Sequence, residues 1–322
     1  MAKFLVTGAF GQIGTELTQA LRARHGTAAV VASGRRLSGH ESNPACTDPV
    51  AVLDVTDPAA VRNVLATHDV DVVYHLAARL SAVGEQDPAL TWRVNMEGLR
   101  NVLEAARARP GTRVFWPSSI AAFGPETPRD AVPQDTVMRP TTMYGVTKVA
   151  GELLADYYQR RYGVDVRGVR FPGVISSQSL PGGGTTDYAV EIFYAALTSG
   201  RYTAFVRADT VLPMIYMPDC IRAARMLMDA EPARLRHRNG FNIAAMSFSA
   251  GELADAIRER LPGFRCEFVP DERQAIADSW PRSIDDRAAR EEWDWAPEYD
   301  LTRMTDDMLT QLGPRLQQGS RP

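Results

Sequence analysis

Lys3-Phe4-Leu5-Val6-Thr7-Gly8-Ala9-Phe10-Gly11-Gln12-Ile13-Gly14 is the stretch that decides the fold. Lys3–Thr7 reads as a short apolar strand. Beyond the glycines, Ile13, Leu17 and Leu21 recur at helical spacing. A strand, a glycine turn and a helix in immediate succession is the context a dinucleotide-binding loop requires. Gly8 permits the tight turn, Gly11 lets the backbone approach a pyrophosphate, and Gly14 lets the helix lie close on the strand. The helix N-terminus then turns free N–H groups and a positive dipole end toward phosphate oxygens. A plain strand–helix turn with incidental glycines is the bland alternative, and the flanking pattern weighs against it.

The pattern continues outward from this loop. Ala28–Ser33, Val50–Leu53, Val70–Leu76, Arg113–Trp116 and Val164–Arg170 read as further strands. Helices alternate with them: one opens at Asp57-Pro58 with an N-cap and a proline, one runs from Pro88 to Arg109, and one carries Tyr144 and ends near Tyr162. This alternation predicts an α/β fold, a Rossmann-like doubly wound parallel sheet. Composition changes after Arg170, where a glycine loop at Pro181–Thr186 opens a helix at Asp187. The expected organisation is a dinucleotide-binding domain over residues 1–170, a smaller substrate-binding lobe over 171–312 with interleaved segments, and a frayed polar tail over 313–322. Ser81–Glu85 and Phe123–Pro140 read as loops. Ser249-x-x-Glu252 is a capping box before a helix to Arg260, and Phe241–Ala244 and Arg265–Val269 read as short strands.

The chain has 322 residues and a formal net charge of −3, which argues against a nucleic-acid or anionic-membrane partner. No apolar run is long enough to span a bilayer. The start passes directly into a strand, so no targeting segment is expected. Cys46, Cys220 and Cys266 have neither disulfide nor zinc spacing. Reduced thiols in the cytoplasm and no metal site are the expectation.

Tyr144 and Lys148 stand four apart, on one face of a helix. An ammonium beside a phenol favours the phenolate, so Tyr144 is the candidate acid/base and Lys148 its tuner. Ser119 lies twenty-five positions upstream at the end of a strand, placed to hydrogen-bond a substrate oxygen. His75 closes the fourth strand and reads as a core histidine with a satisfied ring. Asn95 lies mid-helix with the means to reach back to a water or backbone group near the site.

The glycine pattern, the serine and Tyr-x-x-x-Lys, in that order, resemble the extended short-chain dehydrogenase/reductase family. On those residues alone dehydrogenases, epimerases and dehydratases stay open. Phe171-Pro-Gly-Val-Ile175, Pro181-Gly-Gly-Gly-Thr-Thr-Asp-Tyr188, Leu212-Pro-Met-Ile-Tyr-Met-Pro-Asp219, Asn242-Ile-Ala-Ala-Met-Ser-Phe248 and Ala275-Ile-Ala-Asp-Ser-Trp-Pro281 are similar to the short-chain L-threonine 3-dehydrogenase branch. This resemblance implies oxidation of L-threonine at C3, a step of threonine catabolism. It implies catalytic roles for Tyr144, Lys148 and Ser119. Substrate contacts would fall on Ser81, Ser119, Tyr144, Thr185 and Thr186, with Trp280 as a core residue or a pocket wall. Cofactor contacts would fall on Gly8, Gly11, Gln12, Ile13 and Gly14, then Ser33, Gly34 and Arg35, then Asp54, Val55, Leu76, Ala77 and Ala78, then Tyr144, Lys148 and Val174. The implied cofactor is NAD. Gly34 stands where the resemblance places an aspartate, which leaves NADP possible, and Arg79 stands where it places a leucine. A homodimer joined by the two long helices is implied as well. Two rivals are a nucleotide-sugar epimerase or dehydratase of the same fold and a non-catalytic dinucleotide sensor. The sensor would be expected to have lost Ser119, Tyr144 or Lys148.

Overall fold

The computed structural model describes residues 2–179 and 182–317. Its strands are β1 (Phe4–Thr7), β2 (Val30–Gly34), β3 (Val50–Val52), β4 (Val72–His75), β5 (Arg113–Phe115), β6 (Ser118–Ser119) and β7 (Asp165–Arg167), followed by β8 (Val169–Phe171), β9 (Gly173–Ile175), β10 (Arg201–Ala204), β11 (Val211–Tyr216), β12 (Phe241–Asn242), β13 (Met246–Ser249) and β14 (Arg265–Phe268). Six form one parallel sheet in the order β3-β2-β1-β4-β5-β7. The order reverses between β1 and β4, which opens a crevice at their carboxyl ends. The other strands form three small sheets, β12-β8-β6, β13-β11-β9 and β10-β14.

Strand periodicity explains how the main sheet is covered. Leu5, Val73 and Val114 face one side and meet Val61, Leu99 and Leu103. Phe4, Val6, Tyr74 and Phe115 face the other and meet Leu17, Leu21 and Leu227. Each such side chain contributes about 1.5–3 kcal/mol on full burial. A separate cluster around Tyr188, Phe193, Met214, Leu253 and Met304 forms the core of the C-terminal half.

The helix Met143–Tyr162 starts at a Thr142 cap, whose hydroxyl accepts from Gly145 N at 3.1 Å. It ends at Gly163, left-handed at φ 70°. Gly151 brings it against the sheet: a Cβ there would lie 2.3 Å from the Trp116 ring. Tyr144 and Lys148 are thereby pressed onto the ends of β5 and β6.

Several sequence expectations need correction. Val164–Arg170 is not one strand. It breaks at Gly168, where a Cβ would lie 2.1 Å from Trp116 O, and β7 and β8 join different sheets. Ser81–Gln86 is a helical turn rather than a loop. The Pro88–Arg109 segment is helical through Arg107, but Arg93–Glu97 is π-helical. Phe123–Pro140 lacks regular structure yet is no mere surface loop, since Phe123, Thr127 and Val132 are buried and Val132 bridges Ile284. Residues 313–317 of the supposed tail extend the helix Leu301–Gln317, and 318–322 lie outside the described residues. Among the described residues no helix is long and apolar enough to cross a membrane.

Candidate active site

A cavity of about 520 Å³ lies over the carboxyl ends of the main sheet. Gly8, Gly11, Gln12, Ile13 and Gly14 form its floor. Gly8 is left-handed at φ 67°, and a Cβ on it would lie 2.8 Å from Ala77 N. A Cβ on Gly14 would lie 2.1 Å from Gly8 O. Only glycine fits either position, and the bare backbone beneath the helix Gln12–His25 is the cradle a pyrophosphate requires. A dinucleotide fits this floor. Leu76, Ala77, Ala78 and Val174 line its middle.

At one end the cavity meets Gly34, Arg35, Asp54 and Val55. The Asp54 carboxylate accepts from Thr56 N at 2.9 Å and Thr56 Oγ1 at 2.7 Å. Ser33, expected here, is absent from the lining. Its side chain is fully buried and its hydroxyl donates to Val6 O at 3.1 Å. In a strand successive residues face opposite ways, and Ser33 is the inward one. Gly34 is flanked by Phe10: a Cβ on Gly34 would lie 2.7 Å from the Phe10 ring, which itself stacks on His40 at 5.0 Å.

The other end gathers Ser119, Tyr144, Lys148, Ser81, Thr185, Thr186 and Trp280. Lys148 Nζ donates to Pro117 O at 2.6 Å and lies 4.7 Å from the Trp116 ring centroid and 5.3 Å from that of Tyr144. The Tyr144 phenol and the Ser119 hydroxyl line the same end of the cavity, and Ser119 Oγ accepts from Ala121 N at 3.2 Å. The expected depression of the Tyr144 pKa does not occur in the protein alone. Burial pushes the phenol up to about 12, against the pull of Ser119. Burial pushes Lys148 down to about 7, against the pull of Glu152. Desolvation disfavours both charged forms more than their proximity favours them.

Ser81 and Thr185 are buried, with their hydroxyls 3.4 Å apart. Trp280 is both things expected of it: it belongs to the C-terminal core and walls the cavity. Asn95 reaches back through the π-helical turn. It accepts from Arg79 N at 2.8 Å and donates to Arg79 O at 3.2 Å and Thr147 Oγ1 at 3.0 Å. The cavity rim is thus tied to the helix of Tyr144 and Lys148. Arg79 lines the cavity, but its guanidinium bonds Val83 O at 3.1 Å. His75 is less satisfied than expected, with Nδ1 2.8 Å from Thr7 Oγ1 and Nε2 without a partner. Burial holds it neutral, with a pKa of about 3.

Sequence reasoning missed Asp187. It opens the helix Tyr188–Thr198, but its carboxylate turns back to accept from Gly183 N at 2.8 Å and Gly184 N at 2.6 Å. It lines the catalytic end, and burial raises its pKa to about 6. The available signal was its place directly after Gly-Gly-Gly-Thr-Thr.

The chain resembles known proteins over nearly its whole length. L-threonine dehydrogenase from Clostridium difficile is 50% identical, with 98% of each chain covered and a TM-score of 0.95. A monomeric L-threonine 3-dehydrogenase from a metagenome is 45% identical, covering 97% of this chain and 99% of the other at a TM-score of 0.92. An uncharacterized epimerase/dehydratase from Staphylococcus haemolyticus is 48% identical over 310 residues, 96% of this chain and 97% of that one. Residues 4–244 match the model of the NAD dependent epimerase/dehydratase family. With the glycine cradle and the Ser119, Tyr144 and Lys148 cluster at one cavity, the chain belongs to the NAD dependent epimerase/dehydratase family and is built to use a nicotinamide dinucleotide.

Proposed function

We propose that the protein is an L-threonine 3-dehydrogenase, oxidising the C3 hydroxyl of L-threonine to L-2-amino-3-oxobutanoate. The observation that carries this reading is the catalytic end of the cavity. Ser119, Tyr144 and Lys148 stand there beside a small polar wall of Ser81, Thr185, Thr186 and Asp187, closed by Trp280. That wall matches a compact zwitterion better than a nucleotide sugar. Likeness to L-threonine dehydrogenases at 45% to 50% identity supports the same reading.

In this account Ser119 donates to the substrate hydroxyl oxygen and holds it beside Tyr144. Tyr144, as phenolate, takes the hydroxyl proton. Protonated Lys148 and the Ser119 hydroxyl stabilise the phenolate against the burial that opposes it. A bound nicotinamide would supply the acceptor for the C3 hydrogen and its electron pair. The products are one ketone, one reduced cofactor and one proton released through Tyr144. The Ser81 and Thr185 hydroxyls hold the substrate carboxylate, and Asp187 supplies the acceptor its ammonium needs. Trp280 excludes water from the hydride path.

NAD is the cofactor of this reading, and NADP is accepted. With Gly34 in place of an acid, nothing at the end of β2 bonds the 2′-hydroxyl or repels a 2′-phosphate, and Arg35 lines that end. The assembly proposed is a homodimer. Trp92, Val146, Leu153 and Tyr157 expose apolar surface on the two long helices, Leu153 at 63%. Light scattering at micromolar concentration checks this, and a monomer would reject it.

The test of function is appearance of reduced nicotinamide with L-threonine and either cofactor. UDP-glucose with the bound cofactor is the comparison. Turnover of threonine alone supports the dehydrogenase; turnover of the nucleotide sugar alone replaces it with an epimerase.

A further inference from the structure

One turn beyond Lys148 on the same helix lies Glu152, 5% exposed. Its carboxylate accepts three hydrogen bonds from two side chains. Ser118 Oγ donates to Oε1, Arg170 Nε donates to Oε1 at 3.0 Å, and Arg170 Nη2 donates to Oε2 at 2.8 Å. Arg170 is equally buried and extends the network, donating through Nη1 to Gln134 O and Asn242 Oδ1, both at 2.9 Å. Gly240 is kept bare by the same carboxylate, since a Cβ there would lie 2.7 Å from Glu152 Oε2.

A buried ion pair of this kind is a poor device for stability, because desolvation offsets most of the attraction. Its location suggests another task. The adjacent serines both line the cavity, but the Ser118 hydroxyl is spent on Glu152. Lys148 is held from the same short segment, at Pro117 O. The three groups of the catalytic cluster therefore converge on Pro117–Ser119, and Glu152 is the anchor of that segment.

We propose that Glu152 is a positioning residue of the active site: bound to Ser118 and Arg170 one helical turn beyond Lys148, it anchors Pro117–Ser119 so that the Ser119 hydroxyl and the Pro117 carbonyl stand against Tyr144 and Lys148. The inference rests on the dehydrogenase reading for its kinetics, but not for its electrostatics. Around Lys148 the facing groups are Tyr144, the neutral His75 and Glu152. Around Glu152 they are Arg170 and, more distantly, Asp156, which is held by Asn239 and Arg160. Removing the Glu152 charge leaves Arg170 unpaired, so both changes push Lys148 toward the amine.

The sequence makes this measurable without turnover. Lys3 and Lys148 are the only two lysines in the chain. Protein labelled with ¹³C at lysine Cε gives two titrating signals, which Lys3→Arg assigns. In Glu152→Gln the Lys148 midpoint is expected to fall by about one pH unit or more, the scale of a lost neighbouring charge. The acid limb of kcat for threonine should move to higher pH, and kcat at neutral pH should fall about tenfold, with the dinucleotide Kd unchanged. Ser118→Ala keeps the ion pair and breaks only the anchor, so kcat should fall while the Lys148 midpoint stays. If Glu152→Gln does not fold, Ser118→Ala decides by its kcat. An unmoved Lys148 midpoint in folded Glu152→Gln, or full activity in Ser118→Ala, overturns the proposal. A wild type inactive on threonine overturns the dehydrogenase reading instead, and leaves the lysine titration standing.

Discussion

The two ends of the cavity are built on opposite principles. At the adenosine end the deciding feature is a missing side chain. Gly34 presents backbone, Arg35 and Asp54 reach partly into water, and no group there is both buried and charged. At the catalytic end the deciding groups are withdrawn from water: Lys148, Ser81 and Thr185 are buried, and Tyr144, Ser119 and Asp187 are half-buried. Tyr144 is pushed up to about 12, Lys148 down to about 7 and Asp187 up to about 6, each chiefly by desolvation. The first end tolerates alternative ligands because it lacks repulsion. The second cannot, because each buried group must find its partner or remain neutral.

The largest effect should come from the buried end. Tyr144→Phe removes the proton acceptor and should cost at least about 100-fold in kcat, with dinucleotide affinity intact. Activity within a few-fold of wild type would show that Tyr144 is not the base. The wild-type pH dependence has two opposed parts: the phenolate fraction of Tyr144 grows as pH rises, while the Lys148 ammonium that stabilises it is lost through about 7, so kcat should rise on the acid side of 7 and level off above it. A profile falling from about pH 5 to 7 would contradict the assignment.

Asp187→Asn should come next. A lost charge-assisted hydrogen bond is worth about 1.5–3 kcal/mol, or roughly ten- to a hundredfold in the KM for threonine. The cofactor KM should stay. If both constants rise together, Asp187 holds only the glycine loop.

The adenosine end should respond less, and conditionally. Gly34→Asp alone places its Cβ against the Phe10 ring, at 2.7 Å. The single substitution should therefore weaken both cofactors. In Phe10→Ala/Gly34→Asp the acid has room, and the ratio of kcat/KM for NAD over NADP should rise by about tenfold. A ratio unmoved in the double variant would mean that this end does not read the ribose.

A half-buried carboxylate outside the cavity calibrates both ends. Glu16, bonded by Ser176, is raised from 4.5 to about 7, chiefly by burial. The folded state holds its proton more tightly than the unfolded chain, so this group's contribution to stability falls as pH rises from about 4.5 to 7. Glu16→Gln should raise the Tm by on the order of a few degrees at pH 8, and by nothing at pH 4.5. A gain at both values would mean that packing, not ionisation, is responsible.

What was legible in the sequence was whatever a local pattern carries. The glycine spacing of Gly8–Gly14, the four-residue step from Tyr144 to Lys148 and the apolar strands each state their geometry within a few residues. The capping box at Ser249 and Glu252 did the same and is present as read. What stayed hidden depends on contacts distant in the chain. Gly168 breaks a strand because Trp116 O crowds it, and Ser33 turns inward to the neighbouring strand, where Val6 O accepts its hydroxyl. The Tyr144 pKa was misjudged because a charge pair is visible in sequence and burial is not. Asp187 and Glu152 were passed over because each looks like an ordinary helix carboxylate until its partners are seen.

The central claim is that Tyr144 and its neighbours remove hydride from C3 of threonine. L-threonine deuterated at C3, incubated with the purified protein and NAD, tests it directly by mass spectrometry. The account predicts one deuterium in the reduced nicotinamide for each 2-amino-3-oxobutanoate formed, with turnover slower than for the protiated substrate. No deuterium in the cofactor, while a nucleotide sugar is turned over with the cofactor retained, would contradict it.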